Sequence, residues 1–539
     1  MAQIPYRGNL QNMSFPMLSS LATRSVIDQQ ADQTFYPQVS TDGAVPVDRG
    51  IPTMVYGHNV MPSTYGWQSV DYNTVYVEPS TEEAALFKDL HFIQCTRGGQ
   101  DPVPTGTKTY IALGEVPADD EAYLYVMDVS LGNWRRITGG LTYPVSGDPI
   151  VFPIGSQMTS ITLNGVTYFY VNGIGCFLYD DTIDSVIYRE LTGLDPADIQ
   201  GITGSNGFML AWTYNSVAWS SAVDIEDFEP SDVSAAGGGS LQEAEGRIVA
   251  AVATVHGVIF MTDSNAVSGV YSGNDDFPWT FKAIPGSGGI SNPQQISSEQ
   301  AQNYFYAYTT YGIQQISHIK CNTVLPQIAD FIGGGTFEDF DTTTDTFTEL
   351  VLGFAMPKQL QVVADRYVLI SYGKSYSESF THALVLDLSQ SRMGKLKILH
   401  NRVFERRDLT FSAVDSPRDL IGLLQPSGRC KAVDFNFSKV AFDSVIFLGK
   451  FQLRRTNLMT LEEIQLENIK EETDFTCVTW ASLRGKELGT KVNGYLLDQT
   501  KDYKHFLFDE AVGVNHTVML KGTFNVQSYV LWGTNHGRL

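Results

Sequence analysis

The chain has 539 residues and a formal net charge of −23, with 43% hydrophobic, 12% aromatic and 18% charged residues. A composition rich in aromatic and poor in charged residues excludes a chain that is disordered throughout, and it excludes a coiled coil. No apolar run approaches the ~18 residues that a membrane-spanning helix needs, so no membrane span is expected.

Residues 1–104 are expected to form an extended N-terminal arm or platform segment. Prolines recur at positions 5, 16, 37, 46, 52 and 62, and this density predicts turns rather than regular elements. A short helix is predicted near residues 81–87, with Thr81 as its cap. Such an arm is expected to pack on a neighbouring domain or subunit, and its candidate assembly residues are Tyr6, Arg7, Pro16, Tyr56 and Trp67.

Residues 105–440 carry a degenerate repeat that predicts a β-propeller of about six or seven blades. Each repeat begins with a short apolar or aromatic run, and several runs are followed by a turn and a second run. The runs are 122–127, 167–171, 207–212, 257–261, 303–308, 366–370 and 420–424. A recurring unit of ~40–50 residues with several short strands is typical of propeller blades. An irregular array of β-sandwiches remains the alternative.

Two glycine-rich stretches interrupt the repeat, and we expect them to be loops at 235–240 and 323–360. The second stretch lengthens one repeat, so it is predicted to be an insertion that projects from one face of the propeller. Inserted loops often carry function. The candidate channel or tip residues in this insertion are Phe337, Glu338, Asp339, Phe340, Asp341 and Asp345.

Residues 441–539 have longer runs in which apolar and polar residues alternate, and they predict a C-terminal β-sandwich. The fold class expected for the whole chain is therefore all-β: an irregular propeller between an extended arm and a β-sandwich.

The charge is distributed unevenly along the chain. Residues 171–350 hold 23 Asp or Glu and 4 Lys or Arg, whereas residues 361–460 hold 15 basic and 9 acidic residues. The acidic third is either an ordinary solvated surface or a surface that repels a polyanion or docks onto basic neighbours. Tight binding of nucleic acid by this part is not expected, because affinity for phosphates requires clustered Lys and Arg.

No pattern of catalytic or metal-binding residues stands out, so we predict no enzyme activity, no cofactor and no metal site. The chain lacks a phosphate-binding loop, a dinucleotide fingerprint and a zinc-protease motif. Its five cysteines are far apart and are expected to be reduced. The adjacent acid pairs Asp180-Asp181, Glu226-Asp227 and Asp275-Asp276 do not make an acid–base couple, since neighbours on a strand point to opposite faces. A hydrolase acting on cell-surface polysaccharide stays open as a minor hypothesis, with Asp275 and Asp276 as its candidates.

Three stretches together resemble a known family. The first stretch is residues 50–70, and the third is residues 449–454 with 520–524. The second is an order of short motifs that runs Trp219-Ser220, Asp227-Phe228, Gly237-Gly238-Gly239, Ile248, Phe260 and Thr262 and closes at Pro278-Trp279-Thr280. This order is similar to that of the tail nozzle (tail tubular protein B) and related propeller-bearing tail proteins of short-tailed bacteriophages. The most telling part covers about 80 residues, and the rest matches in architecture only.

The resemblance implies a structural virion protein that forms the distal channel of a short, non-contractile tail. It implies a homo-hexameric ring below the tail adaptor ring, contacts with tail fibres or spikes and with the host cell surface, and transient passage of double-stranded DNA into the host. The protein would be soluble in the host cytoplasm before it joins the virion. The alternative is a peripheral tail propeller that binds a receptor or glycan on the host surface.

Overall fold

A computed structural model gives the fold of most of the chain. It describes residues 3–9, 56–62, 66–77, 85–98, 102–128, 133–231, 234–274, 278–297, 303–324, 336–351, 358–363, 367–373, 379–388, 392–405, 420–434, 444–451, 457–467, 474–483, 489–499 and 503–538. Regular structure in these residues consists of 43 strands and one 3-10 turn, Pro293–Gln295. The prediction of an all-β fold is confirmed.

Five strands precede the first blade, and they belong to three different sheets. They are β1 (Gln3–Asn9), β2 (Tyr56–His58), β3 (Val60–Pro62), β4 (Trp67–Ser69) and β5 (Asp71–Val77). Strands β1 and β2 join the C-terminal sheet, β3 and β4 extend one propeller blade, and β5 completes another.

The first four blades are antiparallel meanders. Blade one holds β6 (Leu86–Arg97), β7 (Val103–Val116), β8 (Glu121–Asp128) and β9 (Asn133–Arg136), with β10 (Phe152–Pro153) also paired to β8. Blade two holds β11 (Met158–Leu163), β12 (Val166–Val171), β13 (Gly175–Asp180) and β14 (Ser185–Arg189). Blade three holds β15 (Gly201–Ser205), β16 (Phe208–Trp212), β17 (Ser216–Trp219) and β18 (Gly237–Ser240). Blade four holds β19 (Ile248–Thr254), β20 (Gly257–Thr262), β21 (Ala266–Tyr271) and β22 (Trp279–Ala283).

Three further blades and an inserted hairpin follow. Blade five holds β23 (Tyr304–Thr309), β24 (Gly312–Ser317) and β25 (Cys321–Thr323), and the hairpin is β26 (Thr336–Asp341) with β27 (Thr346–Val351). Blade six holds β28 (Lys358–Val363), β29 (Tyr367–Tyr372), β30 (Phe380–Asp387) and β31 (Arg392–His400). Blade seven holds β32 (Arg402–Glu405), β33 (Leu420–Leu424) and β34 (Cys430–Asp434), and its fourth strand is β5.

The seven blades form a closed ring. The innermost strand of each blade is the first strand of its meander. These strands follow one another around the ring in the order β6, β11, β15, β19, β23, β28 and β32, and β32 contacts β6. Between blades four and five the contact runs through a shared apolar core that includes Ile259, Phe305 and Ala307. Strand β5 closes the ring by antiparallel pairing with β34, with Thr74 opposite Ala432.

The runs seen in the sequence are the buried strands of these blades. Strands β12, β16, β20 and β29 are buried along their whole length. A strand in the middle of a blade is covered on both faces by the neighbouring blades, so it is apolar throughout and does not alternate. The number of runs in the sequence therefore equals the number of blades.

The C-terminal strands, all but one of which form a single curled sheet, surround their own core. They are β35 (Val445–Phe451), β36 (Asn457–Glu467), β37 (Asp474–Ser482), β38 (Thr490–Gln499), β39 (Tyr503–Phe508), β40 (Val512–Gly513), β41 (Asn515–Thr523), β42 (Asn525–Val526) and β43 (Ser528–Arg538). The sheet has ten strands, in the order β1-β43-β36-β39-β38-β37-β41-β35-β2 with β40 on β36. Strand β42 instead pairs with β4, which ties this region to blade six.

The structure differs from the sequence expectations at the start of the propeller. The expected boundary at residue 105 lies inside β7, and the first blade begins with β6 at Leu86. Leu86 and Phe87, which fall within the predicted short helix, lie in β6 and pair with β7. Tertiary pairing here overrides a local helix preference. Ala85 directly precedes β6, and residues 81–84 of the predicted helix lie outside the described residues.

Candidate functional site

The axis of the propeller contains a cavity of about 500 Å³. Its walls come from β6, β11, β15, β19 and β32, near the residues where these inner strands begin. Each of these strands is the first of its blade, so the strands run in the same sense around the axis and their starts converge on one face. The volume is within the usual range for a small-molecule pocket.

A buried carboxylate at this cavity holds three blades together. Asp89 on β6 accepts hydrogen bonds from the Met158 amide of blade two at 3.1 Å and from Arg402 Nη1 of blade seven at 2.5 Å. Burial by itself raises the pKa of the Asp89 carboxyl, but the positive charge of Arg402, with His91 beside it, holds that pKa well below its usual range. Asp89 is therefore ionised at neutral pH, and its contacts join blades one, two and seven where the ring closes.

A serine and a histidine extend this group. His91 Nδ1 lies 3.0 Å from Ser160 Oγ, and its Nε2 lies 3.3 Å from Asp89 Oδ1. The connectivity is that of a nucleophilic triad. In such a triad the carboxylate must be able to stabilise an imidazolium, whereas here Arg402 already compensates the charge of Asp89. The arrangement therefore supports a structural role, and the absence of enzyme activity stays a prediction.

Besides His91 Nε2, two polar atoms of residues that line the cavity are buried and have no hydrogen-bond partner. They are the indole Nε1 of Trp212, on β16, and the side-chain Oδ1 of Asn401, just before β32. Both residues line the cavity. Sequence reasoning selected neither, because they are far apart in the chain and belong to no recognisable motif.

The candidate tip residues lie elsewhere, on the hairpin of β26 and β27. This hairpin packs between blade six and the C-terminal sheet. Phe340 is fully buried there, with its ring 5.0 Å from that of Phe447 and in one apolar cluster with Trp480. The expectation that the insertion projects as a channel or tip loop therefore fails for Phe340 and for Asp339, since both are buried within the chain.

Asp339 is the centre of a buried ionic group. Its carboxylate lies 2.7 Å from Lys397 Nζ, 3.2 Å from His382 Nε2 and 3.9 Å from Lys395 Nζ. Burial disfavours the charged carboxyl, but His382 and the two lysines outweigh it and hold the pKa of Asp339 well below its usual value. Burial lowers the pKa of Lys395 to about 8 and that of His382 to about 4.

The other predicted tip residues fall in the same hairpin. Asp345 pairs with Lys491 and Lys521 of the C-terminal sheet. Asp341 accepts hydrogen bonds from the backbone amides of the turn that follows it. Phe337 and Glu338 lie on β26 opposite Leu350 and Glu349.

The candidate assembly residues pair within this chain. Tyr6 and Arg7 on β1 lie opposite Leu531 and Val530 of β43, and Tyr56 on β2 lies opposite Phe447. Trp67 is fully buried in the core of the C-terminal sheet. Pro16 lies outside the described residues.

One exposed apolar segment was not singled out from the sequence. Residues 494–499 of β38, which we call the edge segment, pair only with β39 among the described strands. Within it Tyr495, Leu496 and Leu497 are 61%, 50% and 57% exposed. An open, apolar strand edge is a template for association with another chain. The sequence signal that could have identified this segment is its run of three large apolar residues in one strand of the β38–β39 hairpin.

The adjacent acid pairs serve local structure where they are described. Asp180 accepts hydrogen bonds from the amide and hydroxyl of Thr182. Glu226 forms a two-pronged ion pair with Arg189, at 2.7 and 2.6 Å. Asp275 and Asp276 lie outside the described residues.

Within the described part of the chain, no group of three or more His, Cys, Asp or Glu side chains is arranged to hold a metal ion. No helix there is long and apolar enough to cross a membrane.

Comparisons with known proteins give only distant likenesses. No family model and no curated protein match the chain. Among solved structures, the extracellular domain of a protein described as a putative one-component system from B. thetaiotaomicron has a TM-score of 0.35 and 10% identity over 82% of this chain, which spans about half (48%) of that domain. The AfRom2 CNH domain has a TM-score of 0.25 and 11% identity, covering 52% of this chain and 94% of that domain. A puromycin hydrolase mutant has a TM-score of 0.29 and 12% identity, covering 72% of this chain and 52% of that protein. At these TM-scores the likenesses carry no argument about function.

Proposed function

We propose that the chain is a structural virion protein that forms the distal nozzle of a short phage tail, as a ring of six copies through which DNA leaves. The identity of the assembly rests on the resemblance of residues 50–70, 219–280 and 449–454 with 520–524 to tail nozzle proteins. Contacts with the adaptor ring, tail fibres and host surface are part of the same proposal.

The observation that carries ring formation is the edge segment. A monomer that leaves Tyr495, Leu496 and Leu497 exposed on an open strand edge keeps apolar area in water that a second copy would cover. We propose that a neighbouring copy of this chain covers the edge segment. No other protein is then needed, and a ring repeats one such contact around its axis.

The acidic charge supports passage of DNA without retention. Each copy contributes a formal charge of −23 to the ring. Phosphates bind where Lys and Arg cluster, so an acidic surface along the path repels the duplex and lets it slide. The axial cavity of a single propeller, at about 500 Å³, is too small for a duplex, so the path in this proposal lies between subunits.

The test is the mass and shape of the purified chain, alone and with the adaptor ring. We expect a six-fold ring with a central hole in negative-stain images and a light-scattering mass near six times 59.5 kDa. Leu496→Lys places a charge on the edge segment and is expected to shift the mass to that of one copy. The matched control is Tyr311→Lys, on a propeller loop where Tyr311 is 62% exposed, and this variant should still form rings.

Monomers under both conditions, with and without the adaptor ring, would overturn the nozzle proposal. Rings that form equally well with Leu496→Lys would overturn the role of the edge segment while leaving the ring itself in place.

A further inference from the structure

The axial cavity opens onto the face of the propeller where the inner strands begin. Two of the residues that line it, Gly155 and Gln157, are exposed, so this end of the cavity is in contact with solvent. The wall combines polar side chains, such as Gln200, with apolar side chains, such as Met158 and Ile202. A wall of this kind suits an occupant that carries polar and apolar groups side by side, as the side chains and main chain of a peptide do.

Four described segments surround this opening. They are the turn 117–120, the connections 190–200 and 241–247, and the turn 263–265. The first segment follows β7, whose Glu115 lines the cavity, and the two connections lead into β15 and β19, which form part of its wall. The last segment lies beside the second connection, because the Asp263 amide donates to the Arg247 carbonyl at 3.0 Å. All four segments therefore belong to the face that carries the cavity.

These four segments are strongly acidic. Their acidic residues are all exposed, and they are Asp119, Asp120, Glu190, Asp195, Asp198, Glu243, Glu245 and Asp263. Arg247 is the only basic residue within the four described segments, and its guanidinium lies over the Tyr214 ring, 5.4 Å from the centroid. Clustered charge of one sign attracts groups of the opposite sign to a surface. The face therefore favours a positively charged partner.

A buried asparagine fixes part of this acidic surface. The side-chain oxygen of Asn265 accepts the Glu245 amide at 3.1 Å, and its side-chain nitrogen donates to the Glu243 carbonyl at 3.1 Å. Asn265 thereby holds the main chain at both positions, while both glutamate side chains remain exposed. A surface whose backbone is already fixed costs less ordering when a partner binds.

Exposed apolar side chains accompany the charge on this face. Ile154, directly before Gly155, is 40% exposed, and Leu399, two residues before Asn401 of the cavity wall, is 48% exposed. Tyr214 is 53% exposed, and its carbonyl accepts the amide of Ile248, the first residue of β19. The three residues belong to separate parts of the ring, so a small solute in the cavity would not cover them together. An extended chain segment that crosses the opening would.

We propose that this face binds an extended basic segment of a partner protein, which places one of its side chains in the axial cavity. Its lysines and arginines would face the acidic segments, and its apolar side chains would cover the exposed apolar residues. Nucleic acid does not fit, because the same carboxylates repel phosphates. The site belongs to a single propeller, so it rests neither on ring formation nor on the nozzle function.

The test uses the full chain and an array of peptides of about ten residues, which reach up to about 35 Å when extended. In each peptide, arginine or lysine alternates with leucine, tyrosine or alanine, and two matched sets carry glutamine or glutamate at the basic positions. We expect binding by members of the basic set alone. Fluorescence polarisation of the best peptide should show an affinity that falls as the salt concentration rises.

A charge variant and a matched control locate the contact. Glu243→Gln combined with Glu245→Gln removes two charges from the face and should weaken binding about threefold to fivefold, with a smaller dependence on salt. Asp509→Asn combined with Glu510→Gln removes the same charge from an exposed turn of the C-terminal sheet, and it should leave the affinity unchanged. An equal loss in both double variants would reduce the binding to an effect of net charge and would overturn the proposal.

A third variant tests the cavity itself. Gln200 is partly buried and lines the cavity, so Gln200→Trp should fill part of it and weaken binding about tenfold or more, because the anchoring side chain loses its pocket. Thermal melting confirms that each variant is folded. Full binding by folded Gln200→Trp, a silent basic set, or equal binding by the glutamine set would each contradict the proposal.

Discussion

At the scale of residues, a buried ionic group attaches the inserted hairpin to blade six. Asp339 was selected from the sequence as an exposed acidic tip residue, and the structure places it instead among Lys395, Lys397 and His382. Nothing in the local sequence distinguishes it from Asp341, two residues further along the same strand. The partners of Asp339 lie more than forty residues away, and only the packing of the hairpin on blade six brings them together.

We predict that Asp339→Asn destabilises the chain while Asp341→Asn does not. Removing the Asp339 charge leaves the buried Lys395 ammonium without that counter-charge, which should lower the free energy of unfolding by about 3 kcal/mol. At position 341, which is only partly buried, Asn can still accept the turn amides that Asp341 accepts. Urea unfolding of both variants measures the difference, and equal midpoints would contradict the role assigned to Asp339.

At the scale of elements, the number of blades could be predicted from the sequence to within one, as six or seven, but their boundaries could not. Strands covered on both faces are continuous apolar runs, and the seven runs of the sequence correspond to seven blades. Outer strands such as β18, with the sequence Gly-Gly-Gly-Ser, carry no such pattern, because their exposed side needs no apolar residue. Strand β5 could not be assigned from its sequence, since its partner β34 is remote in the chain.

We predict that Thr74→Pro opens the ring at blade seven. Proline removes a backbone donor and fits poorly in a paired strand, so β5 should pair less well with β34. Hydrogen exchange of the β33 and β34 amides is the measurement, and these amides should lose protection before those of blade three. Thr74→Ala is the control that keeps the backbone donor. Unchanged protection in the proline variant would show that β5 is not needed for closure.

At the scale of the whole molecule, stability should depend on pH through buried histidines. Burial lowers the pKa values of His382, His400 and His516 from 6.5 to about 4. In the unfolded chain they titrate near 6.5. Between pH 6.5 and 4 the unfolded state therefore binds more protons than the folded state, so the free energy of unfolding falls as the pH falls. Each histidine contributes on the order of 3 kcal/mol over this window.

The measurement is urea unfolding at intervals from pH 7 to pH 4. His516→Gln keeps a side-chain N–H for the carbonyls of Met459 and Gly513 but cannot titrate, so its stability should fall less steeply over the same window. Identical slopes for the two proteins would contradict the assignment. Below about pH 4 these histidines add nothing further. Asp89 and Asp339, whose pKa values are held low in the folded chain, then become the cause of further loss.

The candidate site was beyond the reach of the sequence for a related reason. The contacts of the axial cavity join Asp89, Ser160 and Arg402, which are separated by up to 313 residues. Asp89 and His91 share one face of β6 because they are two residues apart on a strand, but this strand is not evident from the sequence. Closure of the ring brings the other residues of these contacts together, and closure leaves no local sequence pattern.

Closure of the ring by β5 also sets an order of events during synthesis. Strand β5 leaves the ribosome early, and its partner β34 follows about 350 residues later, which at ~5–20 residues per second is a delay of roughly 20–70 s. For that time the growing propeller is an open arc with two free ends. The edge segment at residues 494–499 emerges only after both of those ends exist. In the proposed ring, the surface that a neighbouring copy would bind is therefore synthesised only after the propeller has been able to close, so the order of the chain would delay assembly until then.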